Sequence, residues 1–150
     1  VGVTKIFLIA FVWAFIASIL PAVNFGLSLF DTSVWILFAA HFCFIFGITL
    51  PFDIKDLKID ALHQVKTIPA LIGIENSYTL AFTSLFISSM LHLLLQREVL
   101  TGYDYTIPLG ISILLSGWSV FLTRKKADNF VYFGIIDGML IVQALLIILY

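Results

Sequence analysis

Long apolar runs separated by short polar connections dominate the chain. Five of them, Ile6–Val23, Val34–Leu50, Tyr78–Leu95, Tyr105–Leu122 and Phe130–Tyr150, are uncharged or nearly so. Each approaches the roughly 20 residues that a helix needs to cross a bilayer at about 1.5 Å per residue. Their apolar residues follow one another without alternation, which predicts helices rather than the strands of a membrane barrel. Pro21 is expected to close the first span and Pro51 the second, while Pro108 falls in the first turn of the fourth, where proline is tolerated. The predicted fold is an all-α integral membrane bundle of five transmembrane helices, a single membrane domain over residues 1–150.

Composition agrees. Of 150 residues, 61% are hydrophobic and 11% charged, and mean hydropathy is +1.12. Soluble domains are about half apolar and a quarter charged, and a globule this small buries too little of its chain to hide the excess. Disorder is excluded, since 15% of the residues are aromatic. A net charge of −1 offers no basic field for nucleic acid. Cys43 has no second cysteine to pair with, and no Cys/His spacing suits zinc. The chain opens on Val1 without a signal-peptide pattern, so it is expected to begin partway through a longer protein.

The basic residues set an orientation. Lys5, the trio Lys55, Lys58 and Lys66, and the run Arg124–Lys126 fall on one side of the five predicted spans, and Arg97 alone on the other. The N-terminus is therefore expected inside and the C-terminus outside, with the segment 51–76 forming a cytoplasmic loop. A cell (inner) membrane is the expected location, with membrane lipids as partners.

That segment carries the candidate chemistry. At about 100° per residue, Asp53, Asp56 and Asp60 fall within about 60° of one another on a helix, and Lys55 and Lys58 point away. Like charges at these spacings repel by a few tenths of a kcal/mol per pair. A cation would offset that cost. Mg²⁺ suits hard oxygen ligands, takes one or two carboxylates, and leaves room for phosphate oxygens. Lys66 is placed to add a point charge on a diphosphate. The same residues also fit a solvated juxtamembrane loop in which three aspartates balance three lysines.

Asp53-x-x-Asp56-x-x-x-Asp60, followed by Val65-Lys66-Thr67-Ile68-Pro69-Ala70-Leu71-Ile72-Gly73, resembles the second aspartate-rich region of the UbiA superfamily of membrane prenyltransferases. Asp56 and Asp60 match its D-x-x-x-D pair, Lys66-Thr67 its trailing element, and Ile136-Asp137-Gly138 the last span of some members. The resemblance implies that these spans correspond to helices five to nine of a nine-helix bundle. It also implies Mg²⁺-dependent transfer of an isoprenyl group from a prenyl diphosphate to a lipophilic acceptor, aromatic or otherwise. In that plan Asp56 and Asp60 are catalytic and, with Asp53, hold the metal; Lys66 contacts the diphosphate. The family's first motif, N-D-x-x-D, is absent from this chain. A missing N-terminal half or a partner is expected to supply it.

Two other classes compete. One is a non-catalytic membrane subunit whose acidic loop binds divalent cations or a partner. The other is a small ion transporter using Asp137, which lies inside the last apolar run and is expected to face a cavity or a helix neighbour. His63 shares the acidic stripe and is a further candidate for the diphosphate, or a solvated loop histidine. His41 and His92, isolated in apolar runs, are expected to be hydrogen-bonded structural residues, and Asp31 a helix cap.

Overall fold

A computed structural model describes residues 2–99, 106–125, 130–136 and 138–149. The elements are helices α1 (Gly2–Ala14), α2 (Leu20–Asn24), α3 (Thr32–Leu62), α4 (Ile68–Ile72), α5 (Ile74–Val99), α6 (Thr106–Lys125) and α7 (Gly138–Leu149). Two π-helical segments, Phe15–Ile19 and Phe130–Ile136, lead into α2 and towards α7. There is no strand among the described residues.

Four helical stretches are long and apolar enough to cross a membrane: Gly2–Asn24, Thr32–Leu62, Ile74–Gln96 and Ile107–Lys125. The fifth predicted span is helical on both sides of residue 137. Asp137 itself lies outside the described residues, as does most of the connection before α6.

The first span stays helical through Pro21 by changing register. The Leu20 N–H donates to the Phe15 carbonyl, a π-type step taken just before the proline that has no N–H of its own. The helix then ends at Asn24. Asp31 starts α3 as its N-cap, its carboxylate accepting from the Ser33 N–H at 2.9 Å.

Pro51 does not close the second span, contrary to the expectation from proline's missing N–H. It lies buried inside α3, which continues to Leu62. At 31 residues α3 is about 46 Å long, well beyond the ~30 Å hydrocarbon core. The second span and the acidic stripe are thus one continuous helix, and of residues 51–76 only the short connection after Leu62 and residue 73 are non-helical. Gln64 ends the rod at φ 55°. The Val65 N–H returns to the Asp60 carbonyl at 2.9 Å and the Gln64 N–H to Ala61 at 3.2 Å, the hydrogen-bond pair of a Schellman cap. The turn lays Val65 and Lys66 against Gly2, where an added Cβ would fall inside the Lys66 carbonyl.

The core runs along α1, α3 and α5, with Ile6, Ala10, Phe44, Ile48, Ala81 and Leu85 buried in one cluster. Gly47 permits the closest approach: a Cβ there would stand 3.0 Å from the Ala81 carbonyl and 3.1 Å from Leu85 Cγ. Buried hydroxyls along α6 are satisfied locally. Ser112, Ser116, Ser119 and Thr123 each donate to a carbonyl three or four residues back on α6, at 2.7–2.9 Å.

Candidate functional site

Polar groups from α1 and α3 meet at one end of the bundle. Lys5, one turn into α1, faces Asp53 and Asp56, one turn apart on α3. Together with Ile6, Ile9, Thr49, Phe52 and Lys55 they line a cavity of about 320 Å³. The continuity of α3 through Pro51 sets this geometry, because it holds both aspartates in register with the packed apolar face below them.

Asp53 is 8% exposed, and its Oδ2 has no hydrogen-bond partner among the described residues. It lies beyond the apolar run that ends at Leu50. Burial pushes its carboxyl up from 3.8 to about 6; Lys5 opposes the rise, and Asp60 and Asp56 add to it. A buried carboxylate oxygen left unpaired is an acceptor waiting for a donor or a cation.

The other predicted residues do not line this cavity. Asp60 is half-buried one turn further along α3. His63 caps α3 and is exposed, as is the Lys66 side chain. Thr67, beside Lys66, is 2% exposed with Oγ1 unpartnered among the described residues. The structure therefore gathers Asp53 and Asp56 in the cavity wall, and Asp60, His63 and Lys66 are not part of that wall.

Two residues that sequence reasoning did not select complete the surroundings. Lys5 marks orientation in the sequence, but its pairing with α3 arises only when α1 packs there. Tyr132, in the segment Phe130–Ile136, is 2% exposed and lies near Asp56, Tyr78 and Thr123. Its ring is 5.6 Å from that of Phe52, and Lys55 Nζ stands 4.9 Å from its centre. Nearby, Arg124 pairs with Glu75 and lies 5.9 Å from the Tyr78 ring centre, tying the end of α6 to the start of α5.

Among the described residues, no group of three or more His, Cys, Asp and Glu side chains converges as a ready metal cage. Mg²⁺ does not need one, since it commonly keeps waters and binds through one or two carboxylates plus phosphate oxygens. The donor set of Asp53 and Asp56, hard oxygens opening on one cavity with an unpaired buried atom, fits that mode.

Deeper in the bundle, Ser18 and His41 Nδ1 are 2.9 Å apart, and the His41 and His92 rings meet edge to face at 5.5 Å. Each histidine Nδ1 also lies within hydrogen-bond distance of a carbonyl four residues back, Leu37 at 3.1 Å and Ser88 at 2.9 Å. This is the structural role expected of them, and it joins α3 to α5 and to the π segment.

The chain matches no protein-family model, and no curated protein or solved structure is significantly similar to it.

Proposed function

We propose that this chain carries half of the active site of an intramembrane prenyltransferase of the UbiA type. The observation that carries the reading is the pair Asp53 and Asp56, opening with Lys5 into one cavity at the end of a bundle of apolar helices. Asp53, Asp56 and Asp60 would together hold Mg²⁺, and the metal when bound would neutralise a diphosphate and make it a better leaving group. Lys5 places a fixed positive charge beside the same carboxylates, where it orients a polyanionic substrate and balances Asp53. Lys66, exposed beyond the end of α3, would contact the diphosphate as a further point charge. Apolar side chains lining the cavity, Ile6, Ile9 and Phe52 among them, suit the first prenyl unit and keep water from the allylic carbon. Part of the acceptor pocket and the remaining diphosphate- and metal-binding groups would come from a second half carrying the N-D-x-x-D motif.

The test is binding of a non-hydrolysable farnesyl thiodiphosphate to the purified chain in nanodiscs, with and without Mg²⁺. Mg²⁺-dependent binding that disappears in Asp56→Asn and in Asp60→Asn supports the reading. Binding that ignores Mg²⁺, or survives both substitutions, refutes it. Mg²⁺ binding with no affinity for the prenyl diphosphate selects the alternative, a non-catalytic cation-binding subunit.

A further inference from the structure

A second cavity, of about 630 Å³, runs as a groove between α5 and α6. Its α6 wall steps through Gly110, Gly117, Trp118 and Phe121, and Phe82 and Phe86 of α5 face them. The two glycines open the groove, because a Cβ added at either would meet nothing within 4 Å. From Gly110 to Phe121 the wall rises about 17 Å, close to half of the ~30 Å hydrocarbon core. The groove therefore has the length of one leaflet.

Its two ends differ in chemistry. One turn past Phe121, the exposed Lys125 sets its Nζ 4.9 Å from the Phe121 ring centre, over the groove's mouth. Its neighbour Arg124 is engaged with Glu75, so Lys125 is placed to meet an incoming anion. An aromatic-walled channel of leaflet length with a cation at the surface end matches a molecule with a negative head and a long alkyl chain.

We infer that the α5/α6 groove holds one anionic phospholipid from the leaflet on the Lys125 side. Its phosphate sits on Lys125, and one acyl chain lies over Gly110 and Gly117 against Trp118. A neutral lipid fills the groove equally well but gains nothing from Lys125. A single lysine at the surface corresponds to about a fivefold preference for the anionic lipid.

Trp118, 61% exposed, reports on the occupant. In a Trp13→Phe, Trp35→Phe background, the full chain is placed in phosphatidylcholine nanodiscs with rising fractions of either brominated phosphatidylglycerol or brominated phosphatidylcholine. Half-maximal quenching of Trp118 is expected at about a fivefold lower mole fraction of the brominated phosphatidylglycerol. Lys125→Gln, an exposed change, should make the two lipids equivalent. Gly117→Leu, which fills open space, should weaken quenching by both. Equal quenching by the two lipids in the parent, a preference that survives Lys125→Gln, or unchanged quenching in Gly117→Leu would each overturn the inference.

Discussion

Replacing Asp53 with Asn should stabilise the cation-free chain at neutral pH and do nothing for it in acid. Burial lifts the Asp53 carboxyl from 3.8 to about 6. The folded value lies above the unfolded one, so folding takes up a proton between the two. The stabilising contribution is fully present below 3.8 and is lost as pH rises through about 6. At about 1.4 kcal/mol per tenfold, holding Asp53 ionised at neutral pH costs the folded state at most about 3 kcal/mol, and solvent reaching the carboxyl through the cavity screens part of that. An Asn amide brings N–H donors that also need partners in this pocket, which lowers the expected gain to about 1–2 kcal/mol.

The assay is unfolding of the chain in bicelles by sodium dodecyl sulfate, followed by far-UV circular dichroism with EDTA present. At about pH 7 Asp53→Asn should resist more detergent than the wild type, and near pH 4 the two should coincide. If Asn is less stable at neutral pH, or the difference is the same at both pH values, Asp53 is not an uncompensated buried carboxylate and the argument fails. Mg²⁺ at a hundred times its dissociation constant should then add about 2.7 kcal/mol to the wild type and little to Asp53→Asn.

Three further substitutions test the frame that holds the site. Gln64→Gly relieves the left-handed backbone at φ 55° and should raise stability by about 1 kcal/mol in the same unfolding assay, with the Schellman cap intact. Gly47→Val drives a branched side chain into the Ala81 carbonyl and Leu85, and should cost about 1–3 kcal/mol. Ser18→Ala removes the hydroxyl facing His41, and thermal melting should register a loss of only about 0.6 kcal/mol, the average for a hydrogen bond between membrane helices.

Four of the five predicted spans recur as helices long and apolar enough to cross a membrane, because in lipid every backbone group must be satisfied within the segment, so a long apolar run fixes the element type but not its ends. The acidic face was legible for a related reason, since the 3.6-residue period places Asp53 and Asp56 together whatever surrounds them. Local rules failed at Pro51. A proline removes one backbone bond and predicts a stop, yet α3, packed against both α5 and α1, stays helical through it. The register change before Pro21 was hidden in the same way. Lys5 and Tyr132 were invisible as site residues because each comes from a different span, and only tertiary packing brings them to Asp53 and Asp56.

The continuity of α3 joins these points into one physical argument. If Pro51 ended the helix, the aspartates would sit on a loop, free to turn into water, and their mutual repulsion would be screened. On a continuous helix their backbone positions are fixed relative to one another. Asp53 is held 8% exposed beside a second carboxylate, and Lys5 offsets only part of the cost. The fold thus spends stability to keep two carboxylates fixed at the end of an apolar bundle. A divalent cation would relieve a cost of that kind, so the continuous helix, more than the aspartates alone, is what supports the proposed cation site over an ordinary juxtamembrane charge cluster.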